Sequence, residues 1–87
     1  QALTRQHLEE EQRLQELEAT IASDEVRLKA LAEAQMDPTL YEDGAKVQAV
    51  LVEQAGLRSK IDAAMVEWEK VSLRIESVEA EVVGASV

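Results

Sequence analysis

Hydrophobic side chains recur along the first third of the chain at alternating three- and four-residue steps. The repeat is carried by Leu14, Leu17, Ile21, Leu28 and Leu31. This spacing puts apolar residues on one seam of a helix, as in a coiled coil. Asp24 takes one polar step, and extending the repeat backwards gives Glu10, His7 and Leu3. The pattern predicts a first helix over about residues 3–35, whose seam becomes polar toward its N-terminus.

A second segment keeps the same alternation over a longer stretch without a slip. Its seam residues are Val47, Val50, Gln54, Leu57, Ile61, Ala64, Trp68, Val71, Ile75, Val78 and Val82. Leu51 and Met65 widen the apolar stripe to flanking positions. The pattern predicts a second helix over about residues 45–83.

The two periodic segments are separated by a stretch with turn chemistry, about residues 36–44. It contains the only proline and the only tyrosine of the chain. Asp37-Pro38 has the order of an N-cap followed by a first helical residue, and Asp43-Gly44 offers a second N-cap. We expect Leu40 and Tyr41, which are apolar in a polar connection, to fold back and close the end of the seam.

These elements predict an all-α fold, a two-helix antiparallel coiled-coil hairpin that forms a single domain. If Leu31 faces Val47 across the turn, then Asp24 meets Gln54, so the two polar seam residues of the distal half share one layer. The same register sets Ile21 against Leu57, Leu17 against Ile61, Leu14 against Ala64, Glu10 against Trp68, His7 against Val71 and Leu3 against Ile75. A polar layer of this kind can fix the register of a coiled coil.

Composition narrows the classes of function that this hairpin can have. The chain has 87 residues, no cysteine and a formal net charge of −9. Without cysteine there is no disulfide, thiol nucleophile or Cys-based metal site, and an acidic surface repels phosphate. No segment is apolar enough to span a membrane and no secretory signal pattern begins the chain, so we expect a cytoplasmic location.

Chemistry-bearing residues are sparse. His7 is the only histidine, and it has no clustered carboxylate partner in the predicted register, which makes it a poor metal ligand. No glycine-rich phosphate loop or nucleophile motif is present. We therefore predict no catalytic, metal or cofactor site. Trp68 either packs in the seam or is a partly exposed anchor for a partner, and Tyr41 either closes the turn or contacts a partner.

The turn and the second helix resemble a known family. Asp37-Pro38-Thr39-Leu40-Tyr41, followed by the seam of the second helix and by Trp68-Glu69, resembles the C-terminal coiled-coil domain of ABC-F ATPases of the Uup type. Gln12-Arg13-Leu14 looks like the start of that domain. The likeness covers about residues 12–76. The chain departs from the family pattern at Asp24, where a leucine is usual, and in its acidity.

The resemblance implies a non-catalytic accessory arm at the C-terminus of a larger protein. Such a parent has two ATP-binding cassettes, which hold ATP and Mg²⁺, and acts on ribosomes, translation or DNA. The arm would bind DNA, ribosomal RNA or the ribosome. Residues that would carry this contact are Lys46, Tyr41, Arg27, Lys29, Arg58 and Lys60. The alternative is a structural coiled coil that docks on its own ATPase domains, binds another protein or self-associates, without nucleic-acid binding.

Overall fold

Two long antiparallel helices joined by a short turn make up the structure. The computed structural model describes residues 2–85, with the side chains of residues 4–81. Helix α1 spans Ala2–Ala34, a five-residue 3₁₀ helix spans Pro38–Glu42, and helix α2 spans Gly44–Ala85. The molecule measures 67 × 16 × 15 Å. The predicted all-α helical hairpin is confirmed, while the seam positions predicted for Leu3 and Val82 lie outside the described side chains.

Two aspartates build the turn. The Asp37 carboxylate accepts hydrogen bonds from the Thr39 backbone N–H at 3.0 Å and from the Thr39 hydroxyl at 2.9 Å, with Pro38 as the first residue of the 3₁₀ helix. These hydrogen bonds, the backbone one above all, hold the pKa of Asp37 below its ordinary value. Asp43 accepts from the N–H of Ala45 at 3.0 Å and of Lys46 at 3.3 Å, so it caps the start of α2.

Leu40 and Tyr41 close the turn in different ways. Leu40 is half-buried in the 3₁₀ helix, which contacts α2. Tyr41 remains 58% exposed, but its hydroxyl donates a 2.8 Å hydrogen bond to the backbone carbonyl of Gln35, just beyond the end of α1. The turn is therefore linked to both ends of the hairpin: the 3₁₀ helix contacts α2, and the Tyr41 hydroxyl binds the chain just after α1.

The buried residues follow the predicted seams. The hydrophobic ones are Leu17, Leu31, Ile61, Val71 and Ile75. Leu17, Val71 and Ile75 form one cluster, with Leu14 and Ala64 packed against it. A single seam between two helices leaves most other side chains in contact with solvent, so the stability of the hairpin depends on these few residues.

The predicted register of the two seams is wrong by one heptad. Gln54 is buried, but it exchanges hydrogen bonds with Gln35 and not with Asp24. The carboxylate of Asp24 lies 3.6 Å from the ammonium of Lys60. Helix α2 is therefore shifted by seven residues relative to the prediction, and the Asp24–Gln54 layer does not form.

The shift has an electrostatic reason. A heptad repeat matches seam to seam at every seven-residue step, so the apolar pattern alone cannot choose a register. In the predicted register the flanking residues would place Arg13 across from Lys60, and Arg27 across from Lys46. In the structure each arginine meets a glutamate instead.

Candidate functional site

One flank of the seam is closed by charged side chains that bridge the two helices. We call this surface the ion-pair face. Its cross-helix pairs are Arg13–Glu67, Arg27–Glu53, Lys60–Asp24 and Arg74–Glu10. Each arginine of the first two pairs also donates from Nη2 to its glutamate at 2.8 Å, which gives a two-point contact. The positive and negative charges of this face are largely matched within the molecule.

The arginine contacts change the acidity of their partners. Hydrogen bonding from Arg27 holds the pKa of Glu53 below its ordinary value, and hydrogen bonding from Arg13 does the same for Glu67. In return, the pKa of each arginine is raised by the hydrogen bond to its glutamate. Both carboxylates are therefore held in the charged form that the pair requires.

The opposite flank carries a groove with an apolar floor, which we call the Trp68 groove. Its lining residues are Glu18, Ile21, Ala22, Glu25, Met65, Trp68 and Glu69. It has a volume of about 590 Å³. Because α1 contributes the first four lining residues and α2 the other three, the groove follows the line where the helices meet. Apolar side chains lie between carboxylates from both helices.

Trp68 occupies a seam position without being sealed in the seam. The residue is 37% exposed, and its indole Nε1 donates a 3.0 Å hydrogen bond to Oε1 of Glu18 across the helix pair. Glu10, its predicted partner, is bound to Arg74 instead. The indole is thus held in one orientation with part of its ring facing the groove. Met65 beside it is 47% exposed.

The six residues proposed from sequence for nucleic-acid contact do not form one cluster. Arg27 and Lys60 belong to the ion-pair face, and the Tyr41 hydroxyl is bound to Gln35. Lys29, Lys46 and Arg58 are exposed. None of these three makes an ion pair with another described residue.

The net charge is unevenly distributed along the hairpin. The turn-proximal half, residues 25–60, carries five bases and six acids. The open end, residues 2–24 and 61–85, carries four bases and twelve acids. Nearly all of the excess negative charge therefore lies away from the turn, and the turn-proximal half is close to neutral.

The structure also brings the only histidine to two carboxylates. His7 Nε2 lies 2.9 Å from Glu11 Oε1 and 4.0 Å from Glu79 Oε1, and the three groups have metal-ligating atoms within 4.8 Å of one another. The expectation that His7 has no clustered carboxylate partner was wrong, because the seven-residue shift brings Glu79 to its level. Glu11 and Glu79 are surface carboxylates, and exposed acidic groups commonly lie together without a metal.

The sequence identified Trp68 but missed the groove around it. Glu18, Glu25 and Met65 occupy flanking positions beside the seam, and their assembly depends on which heptads face each other. A comparison of flank charges in every register could have found it, because the pairing that satisfies Arg13 and Arg27 also sets Glu18 beside Trp68.

Neither of the described helices has a stretch long and apolar enough to cross a membrane.

Comparison with known proteins adds to this geometry. The family described as ABC transporter C-terminal domain matches residues 5–73. No curated protein and no solved structure matches the chain. The match covers most of α1, the turn and α2 through Leu73, and it agrees with the resemblance carried by the Asp37-Pro38 turn and Trp68. The chain belongs to the ABC transporter C-terminal domain family, and the hairpin is an accessory domain of that kind.

Proposed function

We propose that the hairpin is the non-catalytic arm of an ATPase with two ATP-binding cassettes, and that its turn-proximal half contacts the phosphate backbone of nucleic acid. Membership of the ABC transporter C-terminal domain family supports the accessory role. ATP hydrolysis belongs to the cassettes of the parent in this proposal. The arm is 67 Å long, so its turn can contact a partner at a distance from the cassettes.

The distribution of charge is the observation that carries the nucleic-acid contact. A net charge of −9 would repel phosphate if it were spread evenly. It is concentrated at the open end, so the acidic part is kept away from a phosphate backbone that the turn approaches. Lys29, Lys46 and Arg58 are available there for phosphate contacts, because they are exposed and not bound in ion pairs with described residues.

Tyr41 fits the same surface. The residue is 58% exposed at the turn while its hydroxyl is hydrogen-bonded to Gln35, so the ring is held at a defined position. An exposed ring of this kind can stack on an unpaired base. Arg27 and Lys60, also proposed from sequence, would contribute less, since Glu53 and Asp24 already neutralise them.

A salt-dependent binding measurement tests the proposal. The chain would be titrated with short duplex RNA and short duplex DNA, and the two probes distinguish a ribosomal from a genomic target. Three phosphate contacts predict that affinity falls about 40-fold between 50 and 200 mM salt. The double variant Lys46→Glu with Arg58→Glu should weaken binding at least about tenfold.

The control reverses the same number of charges at the open end, with Arg5→Glu and Lys70→Glu. If contact occurs at the turn-proximal half, the control should retain most of the affinity. Equal losses in the two double variants would show that only net charge matters and would contradict the proposed surface. Absence of binding to both duplexes at low salt would contradict the proposed contact with a duplex phosphate backbone.

A second candidate function is a protein-binding or intramolecular docking arm. The exposed apolar groove at Trp68 favours it, since that groove plays no part in contacts with phosphate. Sedimentation of the chain over a range of concentrations would separate self-association from docking on another protein. A monomer at every concentration would leave docking on a different partner as the form of this function.

A further inference from the structure

We propose that the Trp68 groove binds a basic amphipathic helix, a segment with one apolar face flanked by lysines and arginines. This inference is independent of nucleic-acid contact at the turn, because it uses other residues on another part of the surface. The groove runs along the junction of α1 and α2 and has an apolar floor of Ile21, Ala22, Met65 and Trp68. Exposed apolar surface in a groove is a feature of protein interaction sites.

Trp68 has the properties of an anchor for such a partner. It is the only tryptophan of the chain, and the hydrogen bond from its Nε1 to Glu18 fixes the ring before any partner arrives. A preorganised aromatic side chain loses little conformational freedom on binding. Tryptophan is also among the residues that contribute most to interface affinity. Met65 beside it is flexible and can adapt to the side chains of the partner.

The rim of the groove determines the charge of the partner. Glu18 and Glu25 stand on the α1 side, and Glu69 stands on the α2 side. None of the three has a basic partner within the described part of the chain. A segment with basic residues on both flanks of an apolar face would satisfy both rims. Such complementarity raises the association rate and selects against acidic partners.

The same charges argue against a second copy of this chain as the occupant. Two copies that met through their Trp68 grooves would bring the glutamate rims of both molecules together, at an open end with twelve acids and four bases. Like charges placed face to face across an interface are unfavourable. A helix fits better than an extended strand, because the groove lies between two helices and presents no unpaired backbone edge.

Trp68 provides the signal for the test. The 87-residue chain would be titrated with a synthetic Leu/Lys amphipathic helix of about 14 residues, or about 21 Å, that contains no tryptophan. Burial of the indole should shift its fluorescence emission to shorter wavelength and give a saturable binding curve. A matched peptide with glutamate in place of every lysine should not bind, and a Lys-rich peptide without the apolar face should bind at least about tenfold more weakly.

Variants locate the binding site. Met65→Lys should weaken binding of the Leu/Lys peptide at least about tenfold, while Val66→Lys, one residue along on the outer surface, should not. The triple change Glu18→Gln, Glu25→Gln and Glu69→Gln should also weaken it, whereas Glu9→Gln, Glu33→Gln and Glu81→Gln should have little effect. Helical circular dichroism would verify that each variant is folded.

Several results would overturn the inference. Equal binding of the Leu/Glu and Leu/Lys peptides would show non-specific apolar contact, and an unchanged emission spectrum would show that Trp68 is not buried by the peptide. Equal effects of Met65→Lys and Val66→Lys would place binding elsewhere. These results are separable from a failure of nucleic-acid binding, because neither the peptide nor the variants involve Lys46 or Arg58.

Discussion

Gln54 and Gln35 exchange two side-chain hydrogen bonds across the seam, at 2.8 Å from Nε2 of Gln54 and at 3.3 Å in the other direction. Gln54 is 4% exposed and lies where an apolar residue would continue the repeat. A buried amide is costly unless its polar atoms find partners. The Gln35 amide supplies a partner for the oxygen and for the nitrogen of Gln54. Gln35 directly follows α1, and it reaches the level of Gln54 only because of the seven-residue shift.

The register can be tested with engineered cysteines, since the chain has none of its own. The structure predicts that Leu28→Cys with Leu57→Cys forms an intramolecular disulfide under mild oxidation. Ile21→Cys with Leu57→Cys should not. A seven-residue offset separates that second pair by about 10 Å along the helix, which is too far for a disulfide. Mass spectrometry of the oxidised products would identify the crosslink. Preferential crosslinking of the second pair would support the register predicted from the sequence and contradict the structure.

The small core makes a quantitative prediction for stability. Leu17 is 4% exposed and belongs to the cluster with Val71 and Ile75. Leu17→Ala should lower the free energy of unfolding by about 2–4 kcal/mol, through lost burial and an unfilled cavity. Leu8→Ala is the matched control, since Leu8 is 56% exposed, and it should change stability by less than about 0.5 kcal/mol. Urea denaturation followed by circular dichroism measures both, and similar losses would contradict the assigned core.

The ion-pair face predicts a pH-dependent contribution to stability. Glu53 and Glu67 have folded-state pKa values below their ordinary value of 4.5. The unfolded chain therefore binds protons more readily, and the stabilisation is complete above about pH 4.5 and lost as pH falls through the lower, folded pKa. Glu53→Gln with Glu67→Gln should thus lower the melting temperature at pH 7.

In acid, the melting temperature of the same double variant should equal that of the unsubstituted chain. Once both glutamates are protonated, the unsubstituted chain has no charged pair left for the substitution to remove. Melting curves measured from pH 7 down to pH 2 check this, because the lowered pKa values of the two glutamates place the loss of stabilisation in acid. A melting-temperature difference that persisted unchanged at the acid end would show that packing, not charge, gives these residues their effect.

The start of α2 depends on a single cap. Asp43 accepts hydrogen bonds from the backbone N–H of Ala45 and Lys46. Asp43→Ala should destabilise the hairpin by about 1 kcal/mol, because two helix-terminal donors lose their acceptor. Asp43→Asn keeps an acceptor oxygen in place and should retain most of the stability. Thermal melts of the two variants check the cap, and equal losses in both would show that the charge of Asp43 matters more than its hydrogen bonds.

The sequence identified several residues of the candidate surfaces, but it did not show which of them lie together. The repeat placed Trp68 on a seam, and the exposed bases near the turn were identified from their positions. Arg27 and Lys60 were grouped from sequence with the free bases, although Glu53 and Asp24 bind them in the ion-pair face. Pairings across the seam depend on residues far apart in the chain, so a local pattern gives the flank of a side chain but not its partner.

The sequence by itself determined the two helices, the turn between them and the antiparallel hairpin. Those features follow from local causes, namely the heptad repeat, the fixed backbone of Pro38 and the capping carboxylates of Asp37 and Asp43. Only the tertiary structure decided the register, because a heptad repeat is degenerate under seven-residue shifts. Cross-helix contacts such as Arg13–Glu67 and Gln35–Gln54 remove that degeneracy. They also set Glu18 beside Trp68 and so create the groove.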